Sequence, residues 1–288
     1  MKDRFSDLIL TALMLLLANI LVSQSKPAYV IVNNKGKQVS YSKMLKKLSK
    51  SDVVLFGEIH NNPICHWLQL EVSMDLFAIK PISLGAEMFE RDYEESLQLY
   101  LQGAIDEGEF KDTVKLWKNF RTDYQPLVEF AKKHSIPFVG TNIPRRFASM
   151  VYRDGFEVLD SLSDQEKSWI APLPILYDPE VPCYKNMLDM VPGHGGPNFP
   201  KAQAIKDATM AHFILHHLRS DRLFLHIHGT YHSDNYEGIL WYLRKFQPNL
   251  TYSTISSVSQ EDLSKLESEH MGKADFILVV PDRMTNTY

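Results

Sequence analysis

The chain has 288 residues, 44% of them apolar and 23% charged, which suits one large α/β domain with a full core. The formal net charge of −4 excludes a typical nucleic-acid binder, which presents a basic face. At the N-terminus, the apolar run Leu8–Val22 followed by Ser23-Gln24-Ser25 predicts a secretory signal peptide over 1–25, with a retained N-terminal anchor as the alternative. It is short for a membrane span, which needs roughly 20 apolar residues. Asp3 and Asp7 offset Lys2 and Arg4, so the positive flank usual for a signal is missing. Export to the periplasm or cell envelope would permit a disulfide between Cys65 and Cys183; two lone thiols are the alternative. There is no CxxC pair, and His60 and His66 do not form the HExxH spacing of a zincin.

Over 26–288, short β-branched runs alternate with helical patterns, which predicts an α/β fold with a mostly parallel β-sheet flanked by helices. The predicted strands are Tyr29–Val32, Val53–Phe56, Ile82–Glu87, Pro137–Gly140, Leu223–Ile227, Tyr252–Ser256 and Phe276–Val280. Lys43–Lys50 reads as the charged face of a short amphipathic helix. Longer helices are predicted over Pro63–Ile79, Lys201–Leu218 and Tyr236–Phe246. Asn62 caps the first of these, and Pro63 is tolerated at its first position. The stretch 90–135 is too long for one crossover helix and reads as a helical insertion or subdomain. The Pro/Gly-rich stretch 171–200 reads as a long loop able to act as a lid.

In a parallel sheet, ligands bind beyond the carboxyl ends of the strands. Those ends carry Gly57-Glu58-Ile59-His60, Gly85-Ala86-Glu87, Gly140-Thr141-Asn142 followed by Arg145-Arg146, and His228-Gly229-Thr230-Tyr231-His232. Each has a glycine and an ionisable group, which predicts one polar cleft lined by Glu58, His60, Glu87, Arg145 and His232. Glu58 and His60 share a side of extended backbone, so the carboxylate can fix the imidazole's tautomer for base chemistry or metal ligation. The competing structural reading has Glu58 tying down a loop and His60 capping the next helix. For Glu87 it is a buried ion pair with Arg145 or Arg146. As a functional group, an Arg fork there can take an anionic substrate group or a haem propionate. His60, His228 and His232 form a candidate set for a divalent metal, although one of His226 and His228 reads as structural. His212, His216 and His217 read as packing or surface groups. In the insertion, Tyr93, Tyr100, Trp117, Phe120 and Tyr124 are either ordinary core or the lining of a pocket for a flat ligand.

The ordered series LFGEIHNNPICHWLQLE, GAEMFERD, YLQG, DYQPLVEFAKKHSIPFVGTNIPRR, AQAIKDATMA and HGTYHSDNYEG, from about Val53 to Gly238, resembles the ChaN family of haem-binding, iron-regulated bacterial lipoproteins. That family sits in a superfamily with the erythromycin esterases and the TraB/Tiki proteins. The resemblance matches Glu58 and His60 to GE-x-H, Glu87 to the second-strand carboxylate and Arg145 to N-x-P-R. It also matches Gln203 and Asp207 to AQ-x3-D, and Gly229 and His232 to G-x2-H. It implies a haem-binding protein of the envelope acting in iron uptake or haem storage. It further implies ligation through a tyrosine, for which Tyr93, Tyr100 and Tyr124 are the candidates, a homodimer with facing haems, and an outer-membrane haem receptor as partner. The chain departs from the family in lacking a lipobox cysteine and in carrying the extra His228. The alternative reading is a hydrolase, esterase- or metalloprotease-like, in which His60 acts as base, Glu58 orients it, and Arg145 or His232 stabilises negative charge. A structural partner-binding protein would explain the fold but not the ionisable groups at the strand ends.

Overall fold

A computed structural model describes residues 26–190 and 196–288. The Leu8–Val22 run and the signal peptide read from it lie outside the described residues, as does 191–195 of the Pro/Gly-rich stretch. Seven strands form one sheet: β1 (Val30–Asn33), β2 (Val53–Glu58), β3 (Ile82–Glu90), β4 (Phe138–Asn142), β5 (Leu223–Gly229), β6 (Tyr252–Gln260) and β7 (Phe276–Pro281). Their order is β1-β7-β6-β2-β5-β3-β4. Only β1 runs antiparallel, along the edge of β7; every other neighbouring pair is parallel. The carboxyl ends of β2 to β7 therefore share one rim.

Side chains alternate across the sheet as the pleat requires. Val54 and Phe56 join Leu84, Leu225 and Ile227 in the core on one face. Val53 and Leu55 join Phe224 on the other, beneath a different set of helices. The first face is covered by α1 (Tyr41–Leu48) and α2 (Pro63–Ile79). Asn62 caps α2 as its sequence predicts, its side chain accepting from the backbone N–H groups of Ile64 and Cys65.

The 90–135 segment folds into α3 (Glu94–Leu101), α4 (Glu107–Thr113), a π-helical turn Phe120–Tyr124, and α5 (Gln125–His134). Its Leu97, Phe110, Phe120, Tyr124 and Leu127 belong to the same cluster as β2, β3 and β5. α6 (Arg145–Asp154) and the short α7 (Asp164–Lys167) follow β4. The Pro/Gly-rich stretch contains α8 (Pro182–Met190), and α9 (Phe199–His217) leads into β5. The last helix, α10 (Ile239–Phe246), starts after Gly238, whose φ of +53° turns the chain and delays the helix relative to the expected start at Tyr236. Cys65 and Cys183 are both free thiols. Among the described residues no helix is long and apolar enough to cross a membrane.

Candidate functional site

The strands extend two or three residues beyond their expected ends at Phe56, Glu87, Gly140 and Ile227, closing on Glu58, Glu90, Asn142 and Gly229. Glu58 pairs across with Gly229 in the β2–β5 ladder, so both sit on the last rung and face the rim. Here two acid–imidazole units form side by side. In the first, the Glu58 carboxylate is 1% exposed. Its Oε1 accepts from the Tyr124 hydroxyl at 2.6 Å and from His60 Nδ1 at 2.9 Å, and its Oε2 from Gln69 Nε2 at 2.5 Å. The backbone of His60 is held as well, its carbonyl accepting from Asn119 Nδ2 at 2.9 Å and lying 3.0 Å from His66 Nε2. The His60 ring packs edge-on against Trp117, with centroids 4.9 Å apart. Burial opposes the charged form of His60, but the Glu58 hydrogen bond and the nearby Glu87 charge outweigh it, so its pKa is raised.

In the second unit, His232 lies between two buried carboxylates. Its Nε2 is 3.2 Å from Glu87 Oε1 and its Nδ1 is 2.5 Å from Asp207 Oδ1. Burial penalises the imidazolium, yet the two negative charges dominate and raise the pKa to about 10. Glu87 is held well below the usual carboxylate range. Desolvation pushes it up, but His232, His60 and the Gly229 N–H at 2.8 Å prevail. Asp207 goes the other way: its desolvation exceeds what His232 and the Tyr184 hydroxyl at 2.8 Å return. Glu87 therefore carries the firm negative charge opposite His232. The expected pairing of Glu87 with an arginine does not occur. Arg146 pairs instead with Asp92, and the Arg145 backbone N–H donates to Glu90 at 2.9 Å.

Gly229 permits the two units to approach. A Cβ there would lie 2.7 Å from His60 Nε2, closer than any real contact. Gly229→Ala is expected to displace the His60 ring and to cost about 1–3 kcal/mol of overpacking strain. Chemical denaturation together with the His60 titration followed by NMR checks this; an unchanged His60 titration would contradict it.

The units open into a cleft with two adjoining lobes that share His60, Phe199 and Gln203. One lobe, about 660 Å³, is lined by Glu58, Thr230, Tyr231 and His232. The other, about 690 Å³, lies between α6 and α9. Arg145, Ser149 and Tyr152 recur at helical spacing on one face of α6, and Phe199, Gln203 and Lys206 do so on α9. Trp117, Ile143 and Ala148 add apolar wall, and Arg153 a further cation.

The structure thus brings together Glu58, His60, Glu87, Arg145 and His232, as expected, and corrects three of the ligand candidates. Tyr100 is buried in the insertion, where its hydroxyl donates to Glu129, its ring stacks on Phe110 at 4.5 Å and Lys132 lies over it. Tyr93 packs half-buried against the core and does not line either lobe. His228 is fully buried. Its Nδ1 is 3.0 Å from His226 Nδ1 and its Nε2 2.8 Å from Ser233 Oγ, so it faces away from His60 and does not complete a metal set with His60 and His232. Burial pushes the pKa of His226 down to about 3 and lowers that of His228 as well, so both stay neutral. Tyr124 does reach the site, with its hydroxyl on Glu58; burial and that carboxylate raise its pKa and disfavour the phenolate. Of the insertion's aromatic residues, Trp117 lines the cleft, whereas Tyr100 and Phe120 are core. Sequence reasoning missed Tyr152, which is 41% exposed and lines the α6–α9 lobe. Its signal was available: Tyr152 lies two helical turns beyond Arg145 on the same face.

Chemically, the arrangement holds a proton on His232 and leaves His60, with its side chain 37% exposed, as the imidazole able to accept or deliver one at the cleft.

The model of a family described as haem-binding uptake, Tiki superfamily, ChaN, matches residues 44–243. Among solved structures, ChaN of Campylobacter jejuni, described with cofacial haem binding, is similar at a TM-score of 0.65 and 17% identity, covering 89% of this chain and 98% of that one. A Bacillus cereus protein gives a TM-score of 0.53 at 10% identity, covering 88% and 95%. A succinoglycan biosynthesis protein gives 0.53 at 12% identity, covering 88% and 94%. At these identities the structural likeness establishes the fold alone. No curated protein matches.

Proposed function

The chain belongs to the ChaN family of the Tiki superfamily, a haem-binding family, and from that premise we propose that it holds haem in the lobe between α6 and α9. One observation carries the reading: a tyrosine, apolar walls and cations converge on a single lobe. The residues fit the group. Tyr152 offers a phenol oxygen, the kind of donor haem iron accepts from tyrosine. Trp117, Ile143, Ala148 and Phe199 supply flat apolar surface. Arg145, Arg153 and Lys206 supply positive charge for the propionates, the arginines with forks matched to carboxylates. The volume of about 690 Å³ lies within the roughly 300–1,000 Å³ of small-molecule sites. Bound haem supplies the iron; the chain's part is to seat the ring, pair the propionates and present an oxygen donor.

In this reading the protein is exported on its Leu8–Val22 segment and serves haem acquisition or storage in the cell envelope, receiving haem from an outer-membrane receptor. A second copy covers the open mouth of the lobe, so haem loading drives homodimerisation. The hydrolytic alternative draws on the same cleft, but the family match does not favour it.

Haem titration of the purified protein is expected to give a saturable Soret band. Tyr100→Phe and Tyr93→Phe should leave the band and the affinity unchanged, because neither residue lines the lobe. Absence of saturable binding, or loss of binding on changing Tyr100 alone, would overturn the assignment.

A further inference from the structure

The connection from β6 to β7 carries a second group of ligand-type side chains, none of which lines the cleft. Glu267, Glu269 and His270 each offer one ligand atom, and these atoms lie within 4.8 Å of one another. The sequence places them well for this. Ser268–His270 forms a single 3-10 turn with Glu267 at its N-cap. In such a turn, positions three apart eclipse, which stacks the side chains of Glu267 and His270 on one side. The turn is braced from below by Gln260, 3% exposed, whose Oε1 accepts from the Glu267 N–H at 3.2 Å and whose Nε2 donates to the Lys265 carbonyl at 2.8 Å. The Gly272 N–H ties its far end to the Asn34 carbonyl at 3.0 Å.

An independent observation concerns the imidazole itself. His270 is only 8% exposed, yet neither ring nitrogen has a hydrogen-bond partner among the described residues. Buried polar atoms of native proteins are almost always partnered. Its Nε2 points at the two carboxylates from 3.8 Å (Glu269) and 4.0 Å (Glu267). A closed ion pair would bring these atoms to about 2.7–2.9 Å. Two ligands of a tetrahedral zinc ion, with bonds of about 2.0–2.2 Å, sit roughly 3.4 Å apart. The observed spacing lies nearer to the latter, and the glutamates, with side chains 50% and 75% exposed, can close the remainder.

We propose that Glu267, Glu269 and His270 form a binding site for a divalent first-row transition-metal ion, separate from the haem lobe. One imidazole and two carboxylates make a nitrogen–oxygen donor set suited to such ions, with water completing the coordination. An all-oxygen set would point to calcium or magnesium instead.

The test is calorimetric titration of the haem-free, full-length protein with Zn²⁺, repeated with Co²⁺ to read its visible absorption. Wild type is expected to bind the ion with an affinity that falls at least about tenfold in the double variant Glu267→Gln/Glu269→Gln, as losing direct ligands should. Those side chains are exposed, so the fold should survive, and haem titration of the double variant should match wild type. His270→Gln is a second variant with the same expectation. No Zn²⁺ uptake by wild type, unchanged affinity in both variants, or displacement of Zn²⁺ by Ca²⁺ at equal concentration would each overturn the proposal.

Discussion

His232→Gln should lower the stability of the folded protein by about 3–5 kcal/mol, the usual cost of breaking a buried ion pair from one side. The substitution leaves Glu87 and Asp207 buried without the cation between them. The pH dependence gives the loss a signature. His232 has its folded pKa raised from 6.5 to about 10, so its contribution is fully present below about 6.5 and is lost as pH rises toward 10. Glu87 is lowered from 4.5, so its contribution is present above that value and is lost as pH falls through its depressed folded pKa. Denaturant titrations should therefore give the widest gap between wild type and variant between about pH 5 and 6.5, closing toward pH 10. A gap that stays constant from pH 6.5 to 10 would show that His232 is not held as an imidazolium.

Tyr152→Phe is expected to weaken haem binding at least tenfold, about 1.4 kcal/mol, and to remove the spectral features of oxygen ligation. Tyr152→His should restore binding with the spectrum of a nitrogen ligand, a rescue that a merely structural tyrosine would not produce. Arg145→Ala/Lys206→Ala should weaken affinity by a similar factor while keeping the tyrosinate spectrum, because these side chains address the propionates and not the iron. Spectrophotometric titration reads both effects at once. An unaltered spectrum in Tyr152→Phe would move the iron ligand elsewhere.

The strands and the rim were legible because their signals are local. The runs beginning at Val53, Ile82 and Leu223 are apolar enough to be buried on both faces, and each carries toward its end a glycine within two residues of an ionisable one. Glu58 and His60 two residues apart, and His226 and His228 likewise, were bound to share a side. The strand ends were less legible, because glutamate and glycine look like termini although Glu58 and Gly229 still pair in the ladder. The partner of Glu87 was misjudged because arginine is the expected counterion of a buried carboxylate. The imidazole that takes that place comes from the turn after β5. Asp207 emerged through the family pattern, and a carboxylate set among apolar residues of α9 was a signal in its own right. Tyr152 escaped because attention to strand ends and to the aromatic insertion passed over a helix whose cleft-facing side is spelled only by spacing.

The buried line from Thr141 through His226 and His228 to Ser233 has a direction. Thr141 Oγ1 donates to the Ala86 carbonyl at 3.1 Å, and that carbonyl can only accept. With its hydrogen spent there, Thr141 must accept from His226 Nε2, 2.7 Å away. His226 then meets His228 through a bare Nδ1, so His228 carries the shared hydrogen, and its own Nε2 must accept from Ser233. One carbonyl thus sets the tautomers of two imidazoles in opposite senses, leaving His226 protonated on Nε2 and His228 on Nδ1. Reversing any link requires reversing them all.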